Sequence, residues 1–194
     1  TDPWLEGNPK CPPGARIDKA DVILLSHGHS DHTGDAVGVA RATGAPVVAM
    51  VATVDDARVA AAAGADALVA QGGEAGGHRS NFAIPGDRPL PLVGTLALVP
   101  QVVAAVDVPV IAAGGDFDGR GLVAALAYGA AGIAMGTRFL MTADAPVPDA
   151  VKDVYLSKDV NGTIRTTQVD GVPHRVLRTE LTEHLDAGNP LTSL

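Results

Sequence analysis

The sequence is poor in cysteine, in aromatic residues and in positive charge. Its single cysteine, Cys11, excludes an internal disulfide and favours a reducing compartment, so we expect a cytoplasmic protein. Aromatic residues make up only 3% of the chain, so the core must consist of Ala, Val, Leu and Ile, which suits helices packed closely on a sheet. The formal net charge of −8 argues against general binding to nucleic acids or to anionic membranes.

Long apolar runs are also missing. No run approaches the roughly 18 residues that indicate a membrane-spanning helix, and no signal-peptide pattern is visible. The 194 residues are enough for one domain with a sizeable core. We therefore expect a single α/β domain over residues 1–194, with no membrane partner.

Short apolar runs alternate with segments of helical character. The runs that predict strands are Ala20–Ser26, Pro46–Val54, Ala67–Ala70, Pro109–Ala113 and Ile133–Met135. The segments that predict helices are Asp31–Thr43, Asp55–Gly64, Leu96–Val106 and Asp116–Tyr128. This order is typical of a parallel sheet of about five βα units joined by right-handed crossovers.

Five units are too few for a closed barrel, which needs eight units and typically about 250 residues. The sheet is therefore either a partial TIM barrel or an open doubly wound sheet. Unpaired backbone groups at an open edge favour association, so we expect a homo-oligomer formed through that edge.

The other segments are less regular. Gln71–Gly94 is a long loop rich in Gly and Pro, and loops of this length in a compact domain are usually functional or mobile. Beyond the sheet, Val147–Leu156 predicts a helix, Ile164–Val169 an extra strand and Val176–Leu185 another helix. Gly188–Leu194 is expected to be a frayed end.

Two consecutive predicted strands end in glycine. Gly114 and Gly115 follow the fourth strand, and Gly136 with Thr137 follows the fifth. In a parallel sheet these turns lie side by side at the carboxyl edge, where ligands bind. Bare glycine N–H groups suit an anion, most often a phosphate, although each turn alone is also ordinary strand-to-helix punctuation. The pattern is neither a Walker loop nor a dinucleotide-binding GxGxxG.

From about Val47 to Leu185 the chain resembles the carboxyl-terminal half of the nitronate monooxygenases, which are FMN-dependent TIM-barrel enzymes. The resemblance rests on the segments VVATVDDAR, ADALVAQGGEAGGH, PVIAAGGDFDGRG and AMGTRFL. The later segment TTQVDGVPHRVLRTEL resembles most closely a branch of the family involved in steroid-ring breakdown. The resemblance implies a half barrel over residues 51–194.

The same resemblance implies roles for individual residues. The residue matching His78 is the base that takes the α-proton of a nitroalkane, a task that suits imidazole because its pKa lies near working pH. A histidine in a surface loop is the alternative. Asp116 stands where the family usually has a small or apolar residue and puts a negative charge near the proposed phosphate. Two residues are implied to lie against the flavin and four to hold the phosphate of FMN: Gln71 and Gly72, then Gly114, Gly115, Gly136 and Thr137.

A second resemblance lies near the start of the chain. The segment HGHSDH, His27 to His32, follows a strand and resembles the HxHxDH signature of the metallo-β-lactamase superfamily, as does the preceding TDPWLEGNP. It implies that His27 and His29 bind one zinc ion and that Asp31 and His32 bind a second. A catalytic zinc needs three protein ligands, and no later histidine stands in a matching context. The alternative is a solvated turn in which Asp31 caps a helix.

The two resemblances meet inside the strand Pro46–Val54, which predicts a chimera. Residues 1–50 would then be metallo-β-lactamase-like and residues 51–194 nitronate-monooxygenase-like. Three functions follow. The first is an FMN-binding oxidoreductase for a small-molecule substrate, which oxidises nitroalkanes or nitronates or reduces a CoA-linked substrate, with flavin binding expected more than turnover. The second is a metal-dependent hydrolase, and the third is a catalytically inert α/β scaffold.

Overall fold

A computed structural model describes residues 1–82, 92–116 and 118–189. The chain divides into two compact units, the first formed by Thr1–Glu74 with Ser80–Ala134 and the second by Ala75–Arg79 with Met135–Leu194. Parts of the predicted loop Gln71–Gly94 and of the predicted frayed end lie outside the described residues. The prediction of a single domain stays a prediction.

The first unit is built on a parallel sheet. Its strands, numbered along the whole chain, are β1 (Ile23–Leu25), β2 (Val47–Val51), β3 (Ala67–Gln71), β5 (Val110–Ala113) and β6 (Gly132–Ala134). Each coincides with a predicted strand, and in the described residues they lie side by side in the order β1-β2-β3-β5-β6. The order never reverses, so the sheet is wound in one direction, as in a barrel, and has no doubly wound switch point. Its edges in the described chain are β1 and β6, and association through them stays a prediction.

Helices of the first unit follow the strands. They are α1 (Ser30–Thr33), α2 (Ala36–Thr43), α3 (Val54–Ala62), α4 (Thr95–Val103) and α5 (Gly119–Ala127). The predicted helix over residues 31–43 is two helices, because Asp35 leaves the helical conformation and its carboxylate accepts the backbone N–H groups of Leu5 (2.6 Å) and Glu6 (3.1 Å). Gly44 ends α2 in a left-handed conformation, which is common for a glycine at the end of a helix.

The core of the first unit is aliphatic, as the shortage of aromatic residues predicted. Helices α3 and α4 pack on β2, β3 and β5. Their contact buries Val51, Leu68, Leu98, Val99, Val102 and Val110. Helix α5 contributes little to this core, because it buries only Ala125 and leaves Val123 66% exposed.

The second unit contains a small antiparallel sheet in the order β4-β8-β7. Its elements are β4 (Gly77–His78), α6 (Thr137–Leu140), α7 (Asp149–Leu156), β7 (Thr163–Thr166), β8 (His174–Leu177) and α8 (Glu180–Asp186). The predicted helix over residues 176–185 is wrong in its first part, which belongs to β8. The helix starts only after Thr179, which forms a capping box with Thr182. Within the described ranges, none of the helices has the length and apolar character needed to cross a membrane.

Candidate active site

Three neighbouring strands end together at the carboxyl edge of the parallel sheet. Gln71 of β3 is paired with Ala113 of β5, and Ala113 is paired with Ala134 of β6. These are the last residues of their strands, and the glycine turns predicted as a phosphate site begin just beyond them. The prediction that the fourth and fifth strands end side by side is confirmed.

Gln71, the last residue of β3, and Gly72, which follows it, form hydrogen bonds to neighbouring segments of the first unit. Gln71 is 3% exposed, and its Oε1 accepts the backbone N–H of Ser80, which is fully buried, at 3.0 Å. The N–H of Gly72 donates to the carbonyl of Ala113 at 2.8 Å. A Cβ on Gly72 would lie 1.9 Å from Oγ1 of Thr95, so only glycine fits there. Both residues therefore support the structure of this edge of the sheet.

The turn at Gly114 and Gly115 lies near the surface, with Gly115 exposed and Gly114 half-buried. Both residues have positive φ, 118° and 81°, which glycine adopts without strain. Among the residues that the structure describes, neither N–H has a hydrogen-bond acceptor. The carbonyl of Gly114 is held by the hydroxyl of Thr95 at 2.8 Å. The turn is thus fixed through its carbonyl, and its amide hydrogens are available to an anion.

Two carboxylates lie near this turn. Burial, together with the neighbouring charge of Glu74, raises the pKa of Asp116. Oδ2 of Asp116 is buried and has no hydrogen-bond partner in the described part of the chain. Oδ1 lies against α5, only 2.7 Å from the place where a Cβ on Gly121 would be. Asp116 therefore packs on Gly121, and its carboxylate lies against the helix.

The start of α5 is already occupied by a carboxylate. Asp118 caps the helix and accepts the N–H groups of Arg120 at 2.9 Å and of Gly121 at 3.4 Å. The guanidinium of Arg120 also donates to Asp118 at 2.6 Å. The first amides of this helix are therefore engaged, and a phosphate would depend on the glycine turn before it.

The remaining predicted phosphate ligands belong to the second unit. Gly136 and Thr137 are exposed at the start of α6, and a Cβ on Gly136 would meet nothing within 4 Å. Arg138 is exposed on the same helix. Because α6 has only four residues, its dipole is small. Gly136 and Thr137 therefore offer exposed backbone amides and one hydroxyl, and the helix dipole adds little.

His78 lies in a hydrogen-bonded cluster of the second unit. It pairs with His174 across β4 and β8, and its Nε2 lies 2.6 Å from Oδ2 of Asp170. Nδ1 of His174 donates to the carbonyl of Val172 at 2.9 Å and lies 3.6 Å from Oδ1 of Asp170. The hydrogen bond from His78 is the largest of the effects that lower the pKa of Asp170. His78 is thus a strand residue with a hydrogen-bonded partner, and its role as the base stays a prediction.

Sequence reasoning did not identify Asp170 or His174 as partners of His78. Asp170 is 92 residues away along the chain. The segment VDGVPH does carry a turn signal, the Asp-Gly pair, and Gly171 has a φ of 86°. That turn places Asp170 just before β8, where its carboxylate reaches His78.

The HGHSDH segment forms a network of its own in the first unit. His27 is 7% exposed and shares hydrogen bonds with His29 and with Oγ of Ser26, both 2.9 Å long. Nδ1 of His32 lies 3.2 Å from Oδ2 of Asp2. Burial acts to raise the pKa of Asp2, but hydrogen bonds from Ser26 and His32 outweigh it and lower that pKa.

The residues of HGHSDH were predicted either to bind metal or, in the case of Asp31, to cap a helix. Asp31 is exposed and does not cap α1, because His29 occupies the capping position, so the capping alternative is wrong. Over the described ranges, the HGHSDH side chains form no group of three close ligand atoms, whereas His78, Asp170 and His174 do.

The comparisons with known proteins agree on one family. The family model described as nitronate monooxygenase matches residues 14–193. A curated protein of Mycobacterium tuberculosis, named (3aS,4S,5R,7aS)-5-hydroxy-7a-methyl-1-oxo-octahydro-1H-indene-4-carboxyl-CoA dehydrogenase, is 55% identical over 149 residues, which are 75% of this chain and 39% of the relative.

Two solved structures are similar to this chain as well. FabK from Thermotoga maritima is 34% identical with a TM-score of 0.70, and the match covers 86% of this chain and 49% of that one. A nitroalkane oxidase from Streptomyces ansochromogenes is 32% identical with a TM-score of 0.71, covering 89% of this chain and 48% of that one. The chain thus spans less than half the length of these relatives.

The family match also bears on the predicted chimera. It begins at residue 14 and runs through both HGHSDH and the strand Pro46–Val54, where the change of family was predicted. The comparisons support neither a metallo-β-lactamase segment nor a chimera, and they do not support zinc at HGHSDH. The chain belongs to the nitronate monooxygenase family.

Proposed function

We propose that this chain provides the phosphate-binding turn and the catalytic base of an FMN-binding oxidoreductase of the nitronate monooxygenase type. The observation that carries the proposal is the turn at Gly114 and Gly115, which follows a strand at the carboxyl edge of a parallel sheet and whose two amides have no acceptor among the described residues. The roles of Gly136 and Thr137 as phosphate ligands rest on the family resemblance alone. When bound, FMN supplies the redox chemistry.

His78 is the proposed base. The carboxylate of Asp170 can only accept, so Nε2 of His78 carries the proton of the 2.6 Å hydrogen bond, and the lone pair of the neutral ring lies on Nδ1. The same bond holds the ring in one orientation. When Nδ1 takes an α-proton from the substrate, the charge of Asp170 stabilises the imidazolium that forms.

The substrate would be a small molecule with an acidic C–H bond. Nitroalkanes fit this description, and nitronates are the anions that nitroalkanes give on losing this proton, which agrees with the name of the family. A CoA-linked substrate is the second candidate, and the higher identity to the relative named as a CoA-substrate dehydrogenase favours it. Binding of flavin without turnover is compatible with a chain that spans less than half of its relatives.

Titration of the purified chain with FMN, followed by flavin fluorescence, tests the phosphate assignment. Gly115→Val should abolish binding, because a side chain at a φ of 81° forces the turn out of its conformation. Gly44→Val is the matched control, since Gly44 has a φ of 71° at the end of α2 with no atom near its Cβ position. Unchanged FMN binding in Gly115→Val, or no FMN binding by the unaltered chain, would contradict the proposal.

Activity assays test the role of the base separately from FMN binding. His78→Gln should retain FMN and lose roughly a hundredfold or more in the rate of proton abstraction, a typical contribution of a general base. Nitroethane and a CoA thioester serve as substrates in parallel assays. Full activity of His78→Gln with the preferred substrate would exclude His78 as the base.

A further inference from the structure

Asp170 lies between two histidines of the second unit. One ligand atom from each of His78, Asp170 and His174 lies within 4.8 Å of the other two. Donor atoms at this separation are close enough to approach a single ion after small side-chain rotations, since the bonds from zinc to nitrogen and oxygen are about 2.0–2.2 Å long. The proposed function assigns a base and its partner here but gives no task to His174.

The backbone holds these three residues in place. His78 and His174 face each other in the antiparallel pair of β4 and β8. Oδ1 of Asp170 accepts the N–H of Val172 at 3.0 Å, which fixes the carboxylate in the turn before β8. The ring of His174 is fixed by its bond from Nδ1 to the carbonyl of Val172, so its lone pair is on Nε2. Histidines that bind metals usually donate their other ring N–H in this way.

We propose that His78, Asp170 and His174 form a binding site for a divalent transition metal of the zinc class. Two imidazoles and one carboxylate suit Zn²⁺, Co²⁺ or Ni²⁺, whereas Mg²⁺ and Ca²⁺ prefer shells of oxygen. His174 is buried, but the side chains of His78 and Asp170 are 34% and 41% exposed, so an ion can enter from solvent. With three protein ligands, a tetrahedral ion keeps one position open.

Metal binding replaces the proton that now joins His78 to Asp170. The affinity of the site for the metal ion should therefore fall as the pH is lowered, because protons compete with the ion for the ligand atoms. A further consequence rests on the proposed function: an ion held by His78 prevents that residue from acting as a base. Zn²⁺ would then inhibit turnover without displacing FMN.

Zinc binding can be measured without flavin or substrate. The metal-free chain is titrated with ZnCl₂ in competition with a chromophoric chelator, and we expect about one equivalent of tightly bound zinc per chain. Asp170→Asn preserves the size of an exposed side chain and should weaken binding by at least tenfold, and His174→Gln should do the same. The double variant His29→Ala with His32→Ala alters the HGHSDH segment and should bind zinc like the unaltered chain.

The zinc affinities of these variants distinguish the proposed site from the HGHSDH segment. Unchanged affinity in Asp170→Asn and His174→Gln would overturn the proposal, and so would loss of zinc in the HGHSDH variant alone. Circular dichroism confirms that the variants are folded, and Co²⁺ absorption provides a second reading of the ligand set. If zinc binds as expected but leaves turnover intact, the metal site stands and the assignment of His78 as the base fails. If FMN binding and turnover are normal but zinc does not bind, only the metal site fails.

Discussion

Oε2 of Glu74 accepts two hydrogen bonds from Thr95, one from its backbone N–H and one from its hydroxyl, each 2.8 Å long. The same hydroxyl lies 2.8 Å from the carbonyl of Gly114, and Thr95 is 7% exposed. One buried side chain therefore joins the loop after β3, the start of α4 and the turn proposed to bind phosphate. None of these contacts involves neighbours in sequence.

Removal of the Thr95 hydroxyl should destabilise this part of the first unit. Thr95→Val keeps the volume but removes the one hydroxyl proton that the acceptors on Glu74 and Gly114 share, so we expect a loss of about 1 kcal/mol in the free energy of unfolding. Urea denaturation measures the change. Thr95→Ser retains the hydroxyl and should cost clearly less, and equal losses in the two variants would show that the hydrogen bonds contribute little.

Gln71 should matter for stability through its carbonyl oxygen. Gln71→Leu deprives the fully buried N–H of Ser80 of its acceptor, and we expect the unfolding free energy to fall by about 1–3 kcal/mol. Gln101→Leu makes the same substitution at an exposed position of α4 and should be nearly neutral. A similar cost at both positions would exclude the buried hydrogen bond as the cause.

Two glycines of α5 should respond differently to the same substitution. A Cβ on Gly121 would lie 2.7 Å from Oδ1 of Asp116, whereas one on Gly119 would meet nothing within 4 Å. We expect Gly121→Ala to destabilise the chain and Gly119→Ala to be neutral or stabilising by up to about 1 kcal/mol, because alanine favours helix. Thermal unfolding compares them.

A double variant identifies the cause of the Gly121 effect. In the background of Asp116→Ala the carboxylate is gone, so the cost of Gly121→Ala should decrease. An undiminished cost would mean that the helix backbone, and not the packing of Asp116, requires glycine.

Asp116 should make stability depend on pH. Burial and the charge of Glu74 raise its pKa in the folded chain above the ordinary value of 3.8, so the folded state binds this proton more tightly than the unfolded state. The contribution of Asp116 therefore favours folding at low pH and is lost as the pH rises through the folded pKa.

Asp116→Asn tests this sign. The variant cannot ionise at residue 116, so it should be more stable than the unaltered chain at pH 7, and the difference should shrink as the pH falls towards 3.8. Urea titrations at several pH values provide the measurement. A variant that is less stable at pH 7 would show that the ionised carboxylate is favourable where it lies.

The parallel sheet was predictable because its signals are local. Each strand is a short apolar run, and the turns after β5 and α2 contain glycines that the left-handed backbone requires. The error at β8 has a local cause too. Val176, Leu177, Leu181 and Leu185 fit a helical period, but Thr179 starts a new helix and separates the first two from the others.

The sequence by itself determined the alternation of strands and helices, the aliphatic core and the glycine turns, since apolar runs and backbone freedom are properties of neighbouring residues. Only the tertiary structure decided which side chains meet. Asp170 reaches His78 across 92 residues because β4 and β8 pair in one register, and Asp116 lies against α5 because Gly121 leaves room for it. Such contacts depend on strand register and close packing, which no local pattern encodes.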